Sequence, residues 1–507
     1  MATTEGTQQL CDRMVSRGKS PSAYAELGRT GLKVSGVGFG SYRVHDSVDS
    51  HTEALRLTIE GGCNLIDTST NYGDGGSERL VGSVLAGLSS EWSTDEIVVV
   101  SKVGYIQGQN LADALGMARR EEGYEEVVRY AEGCWHCIHP RFIRDQLNKS
   151  LGRLRQPSLD VYLLHNPEYF LSHLDNEGDE RSLEERRDVF YDRIGRAFEC
   201  MEELVATGQI GWYGVSSNTF AVPSHHPDAT SAARMLSIAE QVGGKDHHFA
   251  VFQLPMNLLE TGAVCPPTNG IERPTSVLEL ASTSQVGVLV NRPLNAICDG
   301  ELIRLTDFEV EVPEQPVSKL AKALSRLETE FDKGLARALR MQTDAPVTDR
   351  TFRWSSQATN AAKQLHDVVK WDQYVQSVFN PALSRQVGAI EHSLSGPLQA
   401  AWHLWLERYI DTISLLLTKL RAQYARISQR RSDKLSKRIA PHLPEELRGT
   451  PLSQQVISLL RGCAGVSSVL VGMRSLAYVI DATSVLGRPI VSVPTDAVHA
   501  IFKGGMP

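Results

Sequence analysis

The chain has 507 residues, of which 41% are hydrophobic and 22% are charged, so we expect a globular protein with a sizeable core and exclude wholesale disorder. A formal net charge of -8 gives no overall attraction to nucleic acid or to an anionic membrane surface, so neither is expected as a partner. Eight scattered cysteines, and the lack of any apolar run of about 20 residues, favour a cytoplasmic protein without a disulfide scaffold or a membrane span.

Runs of apolar and β-branched residues recur along the chain, with helical patterns between them. Such runs are typical of strands that are buried on both faces. They cover residues 34–41, 64–70, 96–103, 159–166, 210–216, 247–254, 286–294 and 468–472. One intervening helix, RFIRDQLNKSLGRL, places Phe142, Leu147 and Leu154 on one face. Eight buried strands alternating with helices predict an α/β fold, a parallel (β/α)8 TIM barrel.

An open, doubly wound parallel sheet is the alternative for the same alternation. In such a sheet the first strand commonly leads into a dinucleotide-binding loop of the G-x-G-x-x-G type. Here the first strand continues as GVGFGSYRV, in which the third glycine is missing at the required offset. The sequence therefore favours the closed barrel.

The spacing of the strands breaks once, between the seventh run and the eighth. A β/α unit needs only about 30 residues, so the excess predicts a large all-α insertion between strand 7 and strand 8. Its helical stripes, for example Leu320, Leu324 and Leu327, indicate three or more long helices. We predict an N-terminal extension over 1–25, the first part of the barrel over 26–300, the helical insertion over 301–449 and the final barrel unit over 450–507.

A second apolar stripe in the insertion runs from Trp402 to Ile427. We interpret it as the core of a helical bundle. If the other inserted helices left it uncovered, it would form a surface for a protein partner or for self-association.

Polar side chains stand at or just beyond the ends of three consecutive predicted strands. Asp67 ends the second run and Tyr72 follows in the loop, Lys102 lies in the otherwise apolar third run, and His165 ends the fourth. Because the carboxyl ends of barrel strands converge on one pocket, we expect these four side chains to be neighbours.

These four residue types suit a carbonyl-polarising site without a metal. A buried lysine needs a counter-charge, which Asp67 supplies. The ammonium of Lys102 should favour the phenolate of Tyr72 and lower its pKa, which makes the tyrosine a usable proton donor or acceptor. His165 could orient the substrate oxygen by a hydrogen bond. The natural complement of such a site is a hydride donor.

Several motifs together resemble the aldo-keto reductase superfamily. They are GRTGLKVSGVGFGSYRV, NLIDTSTNYGDGGSE, VVVSKVG, SLGRL with LDVYLLHNP, ATGQIGWYGVSSNTF, VLVNRPL and SVLVGMRS. The resemblance implies an oxidoreductase in which Tyr72 is the general acid/base, Lys102 and Asp67 tune it, and His165 orients a small carbonyl, alcohol or sugar substrate. The helical insertion has no counterpart in the resemblance.

The resemblance also implies a nicotinamide cofactor at the barrel mouth, with NADP(H) preferred and NAD(H) possible. Residues at the ends of strands 5, 6 and 7 would hold the nicotinamide end, and a glycine-led turn after strand 8 would hold the 2′-phosphate. The implied cofactor residues are Ser216, Ser217, Asn218, Gln253, Arg292, Gly472, Arg474 and Ser475.

The sequence also leaves room for an alternative function and contains one candidate metal-binding segment. A weakly or non-catalytic cofactor-binding scaffold, with the insertion binding a partner, is the alternative function. The segment Cys134-Trp-His-Cys137-Ile-His139 could supply metal ligands, but the sequence shows no second cysteine pair, so no metal is predicted.

Overall fold

Eight parallel strands close into a barrel in a computed structural model that describes residues 1–264, 275–298, 300–310 and 316–492. The strands are β1 (Val37–Gly40), β2 (Leu65–Asp67), β3 (Val98–Val103), β4 (Leu159–His165), β5 (Ile210–Ser216), β6 (Phe249–Pro255), β7 (Gly287–Asn291) and β8 (Val466–Val471). Each strand pairs with the next in the chain, and β8 pairs with β1. The predicted (β/α)8 barrel is confirmed, and the open sheet is excluded.

Helices follow or precede these strands as expected for repeated β/α units. They span Asp49–Glu60, Gly76–Ala86, Pro140–Leu154, Leu183–Ala206, Ala232–Gly243, Val277–Thr283, Leu452–Arg461 and Leu476–Ser484. A further helix, Thr4–Ser16, lies in the predicted N-terminal extension. Its Arg13 forms two hydrogen bonds of 2.7 Å with the carboxylate of Glu96, just before β3.

Apolar side chains from most of the strands fill the barrel interior. The buried cluster includes Leu65, Val98, Val100, Val161, Leu163, Val251, Leu289 and Leu470. These are the β-branched and leucine residues that favour buried strands. By contrast, Asp67, Lys102, His165 and Gln253 lie at or near the C-terminal ends of their strands.

Three short sheets accompany the barrel. The first predicted run, 34–41, is divided: Lys33–Ser35 pairs with Tyr24–Glu26 in an antiparallel hairpin, and only the remainder enters the barrel as β1. After β3, the strands Tyr105–Ile106, Val128–Ala131 and Cys134–His136 form a three-stranded sheet, with the helix Gly108–Ala118 between the first two. After β7, Asn295–Cys298 pairs with Glu301–Arg304.

Contacts divide the chain into two compact units, the barrel unit and a helical unit that runs from Thr306 to Lys437. In the sequence, the helical unit falls between β7 and β8, and it is shorter than the predicted insertion, 301–449. Its helices are Val317–Lys333, Leu335–Gln342, Trp354–Gln364, Val368–Tyr374, Asn380–Glu391 and most of the long helix Gly396–Ile439. Its interior is aromatic, with Phe331, Phe352, Trp402, Trp405 and Tyr409 in mutual ring contact.

The stripe from Trp402 to Tyr424 is buried within the helical unit, as the bundle interpretation predicts, while Ile427 remains 41% exposed. Tyr409 also donates a hydrogen bond of 3.2 Å to the buried carboxylate of Glu328. Within the described ranges, no helix is both long and apolar enough to span a bilayer.

Candidate active site

The four polar residues predicted to be neighbours lie together at the C-terminal end of the barrel. Asp67 is the last residue of β2, Lys102 lies near the end of β3, and His165 is the last residue of β4. Tyr72 is carried by the tight turn after β2, in which Gly73 and Gly75 adopt left-handed backbone angles of 56° and 77°. That turn brings the tyrosine ring back over the strand ends.

Lys102 is the centre of the cluster. Its Nζ lies 2.7 Å from Asp67 Oδ2, 2.9 Å from the carbonyl oxygen of Thr68 and 3.2 Å from the Tyr72 hydroxyl. The lysine side chain is fully buried, and Asp67 and Tyr72 are 4% and 9% exposed. All three ammonium protons therefore have acceptors, so the ammonium is held in one place.

The direction of the pKa shift at Tyr72 contradicts the sequence-based expectation. Burial raises the pKa of Tyr72 well above its usual value, and the nearby Asp67 carboxylate adds to this rise. Burial also raises the pKa of Asp67 and lowers that of Lys102, although each partner opposes the shift of the other. Desolvation of the phenolate thus outweighs the attraction of the ammonium, and Tyr72 is a protonated phenol that can donate.

His165 lies beside the tyrosine and is neutral. The two rings meet edge to face with centroids 5.9 Å apart, and Tyr105 packs on the other side at 4.7 Å. Burial holds the pKa of His165 well below its usual range, and the charges of Lys102 and His136 act in the same direction. Its backbone carbonyl accepts a hydrogen bond of 2.7 Å from His136 Nε2, which ties β4 to the three-stranded sheet.

Gln253 connects the implied cofactor residues to the catalytic cluster. From β6 on the opposite side of the barrel, its Nε2 donates to Asp67 Oδ1 at 2.7 Å. Its Oε1 accepts from Ser216 at 3.2 Å and from Asn291 Nδ2 at 3.4 Å. The Ser217 hydroxyl is directed elsewhere and contacts Thr230 at 3.0 Å, although the Ser217 backbone N–H donates to the Gln253 carbonyl oxygen. The structure therefore brings Ser216, rather than Ser217, to the Asp67 side.

The remaining implied cofactor residues, at the end of β7 and in the turn after β8, differ in whether their charged groups are already paired. Arg292 is already paired, with 2.6 Å between its guanidinium and Glu260 Oε1. Arg474 is half-buried and forms no hydrogen bond or ion pair with any described residue. Gly472 precedes it at an exposed position, and Ser475 is the N-cap of the helix Leu476–Ser484, whose first turn receives no side-chain cap. Arg474 and this helix end are thus available to an anion.

Glu168 was missed by the sequence reasoning, although it follows His165 by only three residues. Its Oε1 accepts a hydrogen bond of 2.8 Å from the backbone N–H of Asn218, an implied cofactor residue. Its Oε2 is buried and makes no hydrogen bond within the part of the chain that the structure describes. Burial raises the pKa of Glu168 to about 7, against the effect of the Asn218 hydrogen bond. The sequence signal that could have identified it is the acidic residue that ends the segment HNPE, directly after β4.

We predict that Glu168→Gln changes the pH dependence of stability. The pKa of Glu168 is about 7 in the folded chain and near its ordinary 4.5 in the unfolded chain, so folding binds a proton in this window. Rising pH through the window therefore lowers the free energy of unfolding, by about 3 kcal/mol in total. Urea titrations from pH 4 to 8 should show the variant gaining that amount relative to the wild type. A difference that does not change with pH would contradict the prediction.

The aldo/keto reductase family matches residues 37–257 of the chain. The putative voltage-gated potassium channel subunit beta of Schizosaccharomyces pombe is 26% identical over 220 residues, which is 42% of this chain and 51% of that protein. Methylglyoxal reductase YeaE of Escherichia coli is 29% identical over 193 residues, which is 38% of this chain and 48% of that protein.

Among solved structures, the holo form of aldo-keto reductase AKR11C1 from Bacillus halodurans has a TM-score of 0.45 and 15% identity, with 95% of each chain covered. In the sequence comparisons, the chain spans about half the length of the curated relatives it matches. The matched residues 37–257 include Asp67, Tyr72, Lys102 and His165.

Proposed function

We propose that the chain is a nicotinamide-dependent oxidoreductase of the aldo-keto reductase type, which interconverts a small carbonyl compound with the corresponding alcohol or sugar. The aldo/keto reductase family match over residues 37–257 supports this proposal. The observation that carries the proposal is the position of the Lys102 ammonium, 2.7 Å from Asp67 and 3.2 Å from the Tyr72 hydroxyl. This arrangement holds a positive charge beside the oxygen that must give up a proton.

Tyr72 acts as the general acid when a carbonyl is reduced. Its raised pKa keeps the hydroxyl protonated at neutral pH, so it is ready to donate to the carbonyl oxygen. As the proton leaves, the Lys102 ammonium stabilises the negative charge that develops on the phenol oxygen. Asp67 keeps the ammonium in place, and in alcohol oxidation Tyr72 takes the proton back.

His165 positions the substrate oxygen. Its imidazole is neutral, so it contacts that oxygen through a hydrogen bond and adds no charge to the site. The rings of Tyr72 and Tyr105 hold the imidazole on two sides, which fixes the direction of this hydrogen bond.

The residues at the barrel mouth fit NADP(H). Asn291 Oδ1 is buried without a hydrogen-bond partner among the described residues, beside Gln253, and could accept from the carboxamide of a nicotinamide. Ser216, Asn218 and Gln253 would hold the rest of that group, while Arg474 and the helix end after it would bind the 2′-phosphate. When bound, the nicotinamide supplies or accepts the hydride at the substrate carbon. NAD(H) would need no contact from Arg474.

The proposal is tested by titrating NADPH and NADH separately into the purified full chain and then following turnover with a panel of aldehydes, ketones and sugars. Binding of NADPH, with loss of its absorbance on at least one substrate, is the expected result. Binding of NADPH without turnover on any member would favour a cofactor-binding scaffold, and no binding would overturn the proposal.

We predict that Arg474→Ala selectively weakens NADPH binding. A charge-assisted contact with a phosphate contributes about 1.5–3 kcal/mol, so the Kd for NADPH should rise roughly 10- to 100-fold. NADH is the matched control ligand, because it lacks the 2′-phosphate, and its Kd should be unchanged. Equal weakening of both ligands would show that Arg474 does not recognise that phosphate.

A further inference from the structure

A chain of hydrogen bonds leads from His165 to the three-stranded sheet, and we name it the amide relay. Its members are Ser69, Asn71, Gln107 and Cys134. His165 Nδ1 lies 3.1 Å from Ser69 Oγ, which donates to Asn71 Oδ1 at 2.7 Å. Asn71 Nδ2 donates to Gln107 Oε1 at 3.3 Å, and Gln107 Nε2 donates to Cys134 Sγ at 3.0 Å.

The relay determines where the single proton of the imidazole is placed. Ser69 has one hydroxyl proton, which it gives to Asn71, so toward His165 it can only accept. In this arrangement His165 carries its proton on Nδ1, which leaves a lone pair on Nε2. The Nε2 atom makes no hydrogen bond with any of the residues that the structure describes.

We propose that Ser69 and Asn71 are positioning residues that select the tautomer of His165 and thereby decide whether Nε2 accepts from an alcohol or donates to a carbonyl. The inference rests on the proposed function, since His165 is taken to contact the substrate oxygen. Neither residue reacts, and each acts through the imidazole.

The same hydrogen bonds can also form when the oxygen and nitrogen of both side-chain amides, Asn71 and Gln107, exchange places. Cys134 then donates its thiol proton to Gln107, Gln107 donates to Asn71, Asn71 to Ser69, and Ser69 to His165 Nδ1. The imidazole proton moves to Nε2, which can then donate to a carbonyl oxygen. The side chains of Ser69, Asn71, Gln107 and Cys134 keep their partners in both arrangements, so the relay can adapt to either member of the carbonyl–alcohol pair without losing a hydrogen bond of its own.

Two substitutions at the half-buried Asn71 test this inference with opposite expected outcomes. Asn71→Asp places an oxygen that can only accept beside Ser69, so the proton should stay on Nδ1. Asn71→Leu removes that acceptor and frees Ser69 to donate to His165, so the proton should move to Nε2. Both variants change a residue on a turn rather than in the barrel core. In a third variant, Ser69→Ala, the preference of the imidazole proton for Nδ1 should be lost.

The measurement is NMR of protein labelled with 15N in histidine, recorded at pH 8, where protonated and bare ring nitrogens resonate in separate regions. Comparison with His165→Gln identifies the His165 signals among the 15 histidines. We expect the proton on Nδ1 in the wild type and in Asn71→Asp, and on Nε2 in Asn71→Leu. The same tautomer in Asn71→Asp and Asn71→Leu would overturn the inference. The spectra need neither substrate nor nicotinamide, so this failure is distinct from failure of the proposed function.

Discussion

Tyr72→Phe should lower kcat by about 10²- to 10⁴-fold, the usual contribution of a positioned general acid, while the Kd for NADPH stays unchanged. The phenylalanine ring can keep the contacts of the tyrosine ring, including the Lys102 ammonium 4.8 Å from its centroid and the edge-to-face contact with His165. The substitution therefore removes the donated proton and little else. Steady-state kinetics with any substrate that the wild type turns over will measure the loss.

Tyr42→Phe is the matched control for this substitution. The Tyr42 ring lies 5.3 Å from the Tyr72 ring but is 65% exposed, and its hydroxyl has no role in the proposed proton transfer. We expect kcat of this variant to stay within about twofold of the wild type, since an exposed hydroxyl contributes little. A Tyr72→Phe variant that kept more than about a tenth of the wild-type kcat would contradict the assignment of Tyr72 as the general acid.

Lys102→Met should reduce both activity and stability. Among the described residues, it leaves the buried Asp67 carboxylate with only the Gln253 amide as a partner. Breaking a buried ion pair in this way costs about 3–5 kcal/mol. The pKa of Asp67, already raised by burial, should rise further without the ammonium. The folded variant then binds a proton that the unfolded chain releases, so its free energy of unfolding falls as pH rises above the ordinary range of an aspartate.

The double variant Asp67→Asn, Lys102→Met separates the two effects. It removes both charges, so denaturant titration should show most of the lost stability recovered. Activity should not recover, because the phenolate left on Tyr72 still lacks its stabilising charge. A single Lys102→Met variant as stable as the wild type would contradict the buried ion pair, and an active double variant would contradict the role of the ammonium.

Much of the barrel and the position of the four catalytic candidates could be predicted from the sequence. The buried strands show as β-branched runs, and the ends of parallel strands must converge, so Asp67, Lys102 and His165 had to be neighbours once the barrel was predicted. The strand bounds differed by up to three residues, as at the ends of the second and seventh runs. The first run was also divided, because hydropathy alone does not show that Lys33–Ser35 pairs with Tyr24–Glu26 in a hairpin.

The pKa of Tyr72 could not be predicted in the same way. Its direction depends on how completely water is excluded, which residue spacing does not contain. The hydrogen bond from Gln253 to Asp67 could not be predicted either, because it crosses the barrel between β2 and β6, which are far apart in the sequence. Glu168 was missed for a similar reason, since its importance comes from a contact with Asn218 and from burial.

The central claim, that this barrel transfers hydride while Tyr72 moves the proton, is tested most directly by isotope transfer. NADPH carrying deuterium at the transferred position of C4 is incubated with the full chain and a carbonyl panel, and the alcohols are analysed by mass spectrometry. The account predicts an alcohol with one deuterium at the former carbonyl carbon, formed by the wild type and by Tyr42→Phe but nearly absent with Tyr72→Phe. Bound NADPH with no deuterated alcohol from any carbonyl, or equal deuterium transfer by Tyr72→Phe, would contradict it.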